Sequence, residues 1–430
     1  MEPTEERPDI LEELKHVKST QDSVLSLNYK GLQQMPACLE ADSKNLQHVS
    51  RIYLKENMLT ALPFSIAMLR GLVEIYAPQN EIASIPDSLA DLEHLQCLDL
   101  SRNKLSMLPA SIGGLSSLEK LQVSNNQLTA LPPEIGQLQK LIVLEVMSNQ
   151  IQSIPTEIHK CQQLKRLLLD RNKLMWLPQQ LCHLHHLQEL SVAGNQLLCL
   201  PMDLGRMKSL KAVYVDNNPF LHAIPVSITT QEIGFNSCGQ YNFDPVCENQ
   251  HRWQHLTVSL DGETKKLYLP KEIMVICGKN SSKILSLTEV SLRALHKHSR
   301  DLDLQPEDLP RDLWHRLMCP TAVCQVCNRP LFSMAYPMVF EGQIRIYRLC
   351  RLALCCSPSC VRIASLSVHL PLLHPNPTNL FMAVALIDND NDAHNDNDII
   401  EDNIVEDVDL PIQNNVNDAL DDNEFLLLAD

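Results

Sequence analysis

The sequence lacks the features that mark secreted and membrane proteins. Its first residues, MEPTEERPDILEELKH, contain no basic stretch followed by an apolar one, so no secretory leader is expected. The longest apolar run near the carboxyl end, 379–387, is far shorter than the roughly 20 residues that cross a bilayer. Most of the 15 cysteines are scattered singly, which is typical of a reducing compartment. We therefore expect a cytoplasmic or nuclear protein that does not bind membranes.

The chain also lacks a surplus of basic residues outside its acidic end. The net charge is −16, but 15 acidic residues lie between 388 and 430, where there is no Lys or Arg. The rest of the chain is therefore nearly neutral. Nucleic-acid binding would need Lys and Arg gathered on one surface, so no nucleic-acid partner is expected. The acidic stretch is rich in Asp and Asn with little to bury, which predicts a disordered tail.

The sequence also lacks recognisable catalytic motifs. The sequence shows no phosphate-binding glycine loop and no pairing of a nucleophile with a base, so we do not expect an enzyme. A chain of 430 residues is nevertheless long enough for two or three domains with a sizeable core. The function is therefore to be sought in binding.

A repeat of 23 residues, LxxLxLxxNxLxxLPxxIxxL, dominates the first half of the chain. Its first leucine recurs at Leu72, Leu95, Leu118, Leu141, Leu164, Leu187 and Leu210. An asparagine ladder runs in phase at Asn57, Asn80, Asn103, Asn126, Asn149, Asn172, Asn195 and Asn218. A proline ladder follows at Pro63, Pro86, Pro109, Pro132, Pro155, Pro178, Pro201 and, one residue late, Pro225. This period is typical of a leucine-rich repeat solenoid.

Each part of the repeat has a mechanical reason. The LxL segment directs two apolar side chains to one face of a short strand. The asparagine turns the chain and can satisfy backbone groups of its own and the neighbouring coil. The proline stops the strand and begins the convex return. We therefore predict an α/β horseshoe of about nine coils with a parallel concave sheet, whose first, degenerate coil has Lys30 at the asparagine position.

The concave face has one predicted column between the inward apolar residues of each strand. Its members are chemically mixed and partly aromatic, which favours protein recognition. The predicted partner-binding residues are Tyr53, Tyr76, Asp99, Gln122, Glu145, Leu168, Ser191 and Tyr214.

The period ends after the repeats, and the rest of the chain divides by composition. Alternation at 255–260 and 266–270 predicts short strands that cap the last coil. A small α+β module, stapled by zinc, then precedes the tail. The predicted segments are an extension at 1–20, repeats at 21–228, a capping region at 229–285, a helical segment at 286–318, a cysteine-rich zinc module at 319–365, and a linker with the disordered acidic tail at 366–430.

The helical segment resembles the SOCS box of ubiquitin-ligase substrate receptors. The first half of that motif contains a small residue, leucine, cysteine and an aliphatic residue at fixed spacing, and serine stands here for the cysteine. The second half resembles the LPxxL pattern that selects a cullin. The resemblance implies docking to elongin BC and a cullin through Ser286, Leu287, Ser291, Leu295, Leu309, Pro310 and Leu313.

Two cysteine pairs near the end predict a structural zinc site. Cys324 and Cys327 form a CxxC knuckle, and Cys356 and Cys360 have the spacing of a pair at the start of a helix. Four thiolates would leave no open position for water, so the metal would be structural. Cys355 could replace Cys356, and Cys319 could replace one of the first pair. Buried, reduced cysteines without metal are the other interpretation.

The full combination resembles the leucine-rich repeat-containing protein 28 family over roughly residues 20–365. The resemblance is carried by the nine coils, the run 191–221, the segment 309–320 and the CxxC…CCSxxC ending. It implies an intracellular, non-enzymatic protein, and proteins with this layout include cullin-ligase substrate receptors. The alternative is a signalling scaffold of the Ras-group leucine-rich type, without a ligase connection. The acidic tail takes no support from this family.

Overall fold

The first half of the molecule is a parallel sheet of short strands, one from each coil. The computed structural model describes residues 8–36, 43–228, 232–240, 253–260, 263–277, 287–298, 304–344 and 347–366. The sheet has ten strands in the order β1 to β9 and then β11. These strands are β1 Val24–Ser26, β2 Arg51–Tyr53, β3 Glu74–Tyr76, β4 Cys97–Asp99, β5 Lys120–Gln122, β6 Val143–Glu145, β7 Arg166–Leu168, β8 Glu189–Ser191, β9 Ala212–Tyr214 and β11 Glu232–Gly234.

The convex return of each regular coil is a short 3₁₀ turn. A proline with φ between −63° and −73° precedes each of six turns, in an extended conformation that ends the strand side of the coil. These turns are Phe64–Met68, Asp87–Asp91, Ala110–Gly114, Pro133–Gln137, Thr156–Lys160 and Gln179–His183. Further 3₁₀ turns lie at Ser43–Leu46, Leu204–Arg206 and Pro306–Asp308. The predicted role of the proline ladder is thus confirmed for the regular coils.

The asparagine ladder joins consecutive coils through buried hydrogen bonds. Asn103 Oδ1 accepts from the backbone nitrogen of Ile82 at 3.0 Å. Its Nδ2 donates to the carbonyls of Ala77 and Leu100, both at 3.0 Å. The same pattern of hydrogen bonds repeats at Asn126. All asparagines of the ladder are at most 8% exposed. Only a side chain with both a donor and an acceptor can satisfy these groups, so the predicted role of the asparagine is confirmed.

The amino-terminal end of the core is covered by a helix, α1 (Pro8–Thr20). Its apolar residues Ile10, Leu14 and Val17 are at most 3% exposed and belong to the same core as the coils. This spacing of four and three residues places them on one side of the helix. The helix therefore shields the first coil from water.

The carboxyl-terminal part contains further strands and three helices in the described residues. The strands are β10 Ala223–Pro225, β12 His255–Leu260, β13 Glu263–Tyr268, β14 Val275–Ile276, β15 Ala322–Val323, β16 Pro330–Leu331, β17 Met334–Ile344 and β18 Tyr347–Cys355. The helices are α2 Leu287–His298, α3 Arg311–Met318 and α4 Pro358–Leu366. The strand predicted at 255–260 is confirmed as β12, and the one predicted at 266–270 is confirmed only for 266–268, because β13 begins earlier and ends at Tyr268.

One strand from the end of the repeats belongs to the sheet of the cysteine module. That four-stranded sheet has the order β10, β18, β17, β14. β10 runs parallel to β18, with Ala223 opposite Cys350. Pro225, the late member of the proline ladder, ends β10. The module is therefore continuous with the last coils through backbone hydrogen bonds.

Two predictions concern residues outside this description. The acidic tail, from Asp388 to Asp430, lies beyond the described residues, and Ser286 also falls outside them. Within the part of the chain that is described, no helix combines the length and apolarity needed to cross a bilayer.

Candidate functional sites

The predicted concave column forms a continuous row across adjacent strands. Tyr53 lies opposite Tyr76, and Tyr76 lies opposite Asp99 in the parallel register. Most members of the row are half-buried, whereas Leu168 and Ser191 are each 8% exposed. The row therefore offers more side-chain surface from Tyr53 to Glu145 than at Leu168 and Ser191, near its carboxyl-terminal end.

Aromatic side chains gather at the amino-terminal end of the concave face. The rings of Tyr53 and Tyr76 are stacked with centroids 5.0 Å apart and planes within 5°. Nearby, Lys55 Nζ lies 5.6 Å from the ring centroid of Tyr29, which is 63% exposed. Stacked tyrosines provide a large, rigid contact area with polar hydroxyl groups, as is common in protein interfaces.

Charged residues on the same face are paired across neighbouring strands. Arg166 Nε donates to Glu189 Oε2 at 2.8 Å. Arg51 and Glu74 form a similar pair at 3.3 Å. Because these exposed pairs contribute little to stability, their main effect is to neutralise the surface.

A cavity of about 450 Å³ lies at one edge of the sheet, beside Asp170 and Arg171. Arg171 belongs to a column of residues with positive φ that directly precede the ladder asparagines. Asp170 Oδ1 accepts hydrogen bonds from Ser191 Oγ and from the backbone nitrogen of Ala193. Sequence reasoning missed this cavity because it depends on the stacking of five coils, from Asn125 to Asn217.

Four cysteine sulfurs meet in the carboxyl-terminal module, as the spacing predicted. The Sγ atoms of Cys324, Cys327, Cys356 and Cys360 all lie within 4.8 Å of one another. The distance is 3.4 Å between Cys327 and Cys356 and 3.6 Å between Cys356 and Cys360. A tetrahedral metal with bonds of about 2.3 Å would place its sulfurs roughly 3.8 Å apart. The cluster therefore fits a metal ion and could hold one.

Local backbone structure sets the position of both pairs. The first pair lies in the loop between β15 and β16, where the backbone nitrogen of Asn328 donates to Cys324 O at 3.0 Å. The second pair spans the end of β18 and the first turn of α4. There the backbone nitrogen of Cys360 donates to Ser357 Oγ at 3.3 Å. Residues far apart in the chain thus meet because a hairpin loop faces a helix start.

The thiols of this cluster influence one another's protonation. Hydrogen bonds from Cys355 and Cys356 lower the pKa of Cys324 well below its ordinary value. The same interaction with Cys324, together with burial, raises the pKa of Cys356. A thiolate is the form in which a cysteine binds metal, so the lowered pKa favours Cys324 as a ligand.

The alternative ligands lie outside the group of four. Cys355 is buried, and its thiol contacts Cys324 and lies 3.9 Å from the sulfur of Met338, but it is not one of the four sulfurs that all lie within 4.8 Å of one another. Burial raises the pKa of Cys319 to about 12, with smaller effects from Glu272 and Asp203. The four cysteines chosen from spacing are therefore the ones that the fold brings together.

Of the predicted docking residues, Leu287, Ser291 and Leu295 lie in α2 and Leu313 lies in α3, while Leu309 and Pro310 directly precede α3. Leu292 and Leu317 form a small core with Phe332, against which Leu295 and Leu309 pack. His296 Nδ1 lies 3.0 Å from the carbonyl oxygen of Leu317 in α3. Helices α2 and α3, the two halves of the motif, are therefore held side by side.

The outer side of α2 remains apolar. Leu287 is 81% exposed and Val290 is 46% exposed, and Ser291 beside them is exposed as well. Leu313 in α3 is half-buried, and Pro310 before that helix is exposed. Leu287 lies in the first turn of a helix whose inner side is packed, and its side chain is exposed enough to contact a partner.

Sequence reasoning missed Glu289, which lies on the inner side of α2. Its carboxylate is fully buried and accepts hydrogen bonds from the backbone nitrogen and hydroxyl of Ser333. The only signal in the sequence was its position three residues before Leu292, on the face that packs inward.

The repeating strands, 3₁₀ turns and asparagine ladder define a leucine-rich repeat solenoid. Two family descriptions match its central coils, "Leucine-rich repeat region" over residues 121–224 and "Leucine rich repeat" over residues 78–128.

Solved structures of other repeat proteins are also similar. A leucine-rich repeat protein of Leptospira interrogans, LIC12759, is 21% identical with a TM-score of 0.36, over 52% of this chain and 81% of that one. A TDR receptor is 29% identical with a TM-score of 0.42, over 47% of this chain and 37% of that one. The ectodomain of the receptor kinase GASSHO1/SCHENGEN3 from Arabidopsis thaliana, in complex with CASPARIAN STRIP INTEGRITY FACTOR 2, is 24% identical with a TM-score of 0.39, over 48% of this chain and 29% of that one.

Proposed function

We propose that this protein is a non-enzymatic substrate receptor of an elongin–cullin ubiquitin ligase. In this proposal the concave face binds a polypeptide, and helices α2 and α3 dock elongin BC and a cullin. The single observation that carries the ligase connection is Leu287, which is 81% exposed on a helix whose opposite side is buried. The narrower resemblance to the leucine-rich repeat-containing protein 28 family and an intracellular location belong to the same proposal.

The concave face has the chemistry of a protein-binding surface. Its stacked pair, Tyr53 and Tyr76, offers flat aromatic area, and its charged residues Arg166 and Glu189 are already paired. A partner that buries this face would therefore desolvate few unpaired charges among the described residues. We expect the tyrosine pair to lie at the centre of the contact.

The exposed side of α2 has the chemistry of a helix that inserts into a groove. Leu287, Ser291 and Leu295 repeat every four residues and so lie along one stripe of the helix. Leu295 is half-buried against α3, which leaves Leu287 as the main anchor. The resemblance of the two halves to the SOCS box supports elongin C as the occupant of this stripe.

The four cysteines serve this function by stabilising the module that carries α2. We propose that the bound metal is zinc, because four sulfur ligands in a tetrahedral arrangement favour it. A closed site of this type contributes roughly 10–16 kcal/mol to the folding of a small module. It leaves no ligand position for a reacting water.

Binding of purified elongin BC to the full chain tests the receptor function. Wild-type protein should bind, and Leu287→Ala should weaken the affinity at least about tenfold because the anchor loses most of its apolar area. Lys297→Ala, which changes an exposed residue at the other end of α2, is the matched control and should bind like wild type. If wild-type protein does not bind elongin BC, the receptor function is rejected and a scaffold without ligase connection replaces it.

A further inference from the structure

Helix α2 is fixed to the module by one fully buried carboxylate. Glu289 Oε2 accepts from the backbone nitrogen of Ser333 at 2.7 Å and from its Oγ at 2.8 Å. Its Oε1 accepts from the backbone nitrogen of Phe332 at 3.3 Å. The same oxygen accepts from Arg293 Nε at 2.8 Å, one turn along the helix. Three of these bonds come from outside the helix, from residues 332 and 333.

Residues 332 and 333 directly follow the hairpin that carries the first cysteine pair. The hairpin consists of β15 and β16, with Cys324 and Cys327 in its loop. Phe332 immediately follows Leu331, the last residue of β16. A metal bound by all four cysteines would tie this loop to Cys356 and Cys360. It would therefore hold the hairpin in place, together with the groups of Phe332 and Ser333 that donate to Glu289.

The segment is held on its other sides as well. Thr321 Oγ1 donates to Phe332 O at 2.5 Å, from the residue just before β15. The backbone nitrogen of Met274 donates to Ser333 O at 2.7 Å. The Phe332 ring also meets His296 of α2 edge-on, at 6.0 Å between ring centroids. The orientation of α2 is thus set by its contacts with Phe332 and Ser333, and the position of these two residues depends on the hairpin that precedes them.

We propose that Glu289 is a positioning residue that couples the four-cysteine centre to the docking face of α2. While metal holds the hairpin, the carboxylate is satisfied on the inner side of the helix, and Leu287 and Val290 point outward. When metal is lost, the donors at 332 and 333 move, and the buried carboxylate loses the three hydrogen bonds from those residues while Arg293 stays with it on the helix; burial with fewer donors is unfavourable. The helix then leaves the module to hydrate Glu289. This inference rests on the proposed docking role of α2.

Hydrogen exchange of the full chain, with and without zinc, tests the coupling directly. Removing zinc with a chelator should speed exchange in peptides covering 287–298 at least about tenfold, because the helix loses its anchor. Peptides from the central coils, 97–191, should keep their protection. If 287–298 stays as protected without zinc as with it, the coupling is wrong.

Variants at the anchor separate coupling from a general loss of folding. Glu289→Gln preserves the shape but removes the charge and one acceptor oxygen, so it should retain one equivalent of zinc while 287–298 loses protection. Ser333→Ala, which removes one donor, should show a smaller change in the same direction. Glu307→Gln, at an exposed position of the same module, is the control and should match wild type. Wild-type protection in both Glu289→Gln and Ser333→Ala would overturn the proposal.

Elongin BC binding distinguishes this inference from the proposed function. If zinc-loaded protein does not bind elongin BC, the docking function fails, while the exchange experiment still decides the coupling. If zinc-free protein binds as tightly as zinc-loaded protein, the coupling is rejected and the docking function stands. Supporting results are weaker binding without zinc and in Glu289→Gln, with zinc retained in the variant.

Discussion

Arg206 Nη1 donates a hydrogen bond to Asn328 Oδ1 at 2.9 Å, across 122 residues of sequence. Arg206 ends the 3₁₀ turn Leu204–Arg206 near the end of the repeats, and Asn328 follows the cysteine knuckle. Asp203 lies in the same contact, 3.2 Å from Arg206. Together with the pairing of β10 and β18, this bond places the loop of Cys324 and Cys327 directly on the solenoid. The coils and the cysteine module are therefore parts of one connected structure.

Metal content gives the first prediction. Purified protein should contain about one equivalent of zinc, because four thiolates fill one tetrahedral site. Cys324→Ser with Cys327→Ser should lose it, whereas Cys319→Ser should retain it because that sulfur lies outside the cluster. Elemental analysis measures both. A wild-type protein that is metal-free and stably folded in this module would contradict the assignment.

Asn126 gives a prediction on stability. Asn126→Ala removes its bonds with the backbone nitrogen of Leu105 and the carbonyls of Leu100 and Val123, all buried. Leaving such groups unsatisfied should lower the free energy of unfolding by about 3 kcal/mol. Urea unfolding followed by circular dichroism measures this. Gln127→Ala, next to it but exposed, should change stability by less than about 0.5 kcal/mol.

Two leucines of α2 should separate folding from docking. Leu292 is 3% exposed, so Leu292→Ala should destabilise the module by about 3 kcal/mol. Leu287 is 81% exposed, so Leu287→Ala should leave the melting temperature unchanged. Differential scanning calorimetry of the zinc-loaded proteins compares them. Equal destabilisation by both substitutions would show that Leu287 is a core residue.

Asp203 should make the contact between solenoid and module depend on pH. Burial raises the pKa of this carboxyl to about 6, although Arg206, the backbone of Val323 and Gln179 act in the opposite direction. The folded protein therefore binds the Asp203 proton more tightly than the unfolded chain, and protonation of Asp203 stabilises the fold. This stabilisation is complete below about pH 4 and is lost as the pH rises through about 6. The loss should amount to about 1 kcal/mol between pH 5 and pH 7.

The measurement is urea unfolding of wild type and Asp203→Asn at both pH values. The asparagine does not titrate, so the variant should lack this part of the pH dependence. Asp87→Asn, at an exposed turn, is the control and should follow the wild-type curve. Identical pH dependence in wild type and Asp203→Asn would show that Asp203 is not coupled to folding.

The tyrosine pair should be needed for partner binding but not for folding. Tyr53→Ala with Tyr76→Ala removes the stacked surface, while both side chains are only half-buried. Proximity labelling in cells, with proteasome inhibition, should lose the partners that wild type labels through this face. Lys104→Ala, an exposed residue paired with Glu81, serves as the matched control. Unchanged labelling in the double variant would remove the pair from the binding surface.

Much of the site was predictable because its spacing is short. The CxxC knuckle and the pair Cys356 and Cys360 could be assigned from separations of three and four residues. Leu287 was selected in the same way, from a motif within one helix. By contrast, Glu289 gave almost no signal, since its partner Ser333 lies 44 residues away. The pairing of Ala223 with Cys350 had no local signature at all.

The sequence by itself determined the solenoid, because each coil packs on the next at a constant separation of 23 residues and repeats the same leucine, asparagine and proline positions. Tertiary structure alone decided how the module attaches to the repeats and which face of α2 points outward. Those features depend on single contacts between distant segments, such as Arg206 with Asn328 and Glu289 with Ser333. A periodic pattern cannot encode such contacts, because each is formed only once, when the folded elements meet.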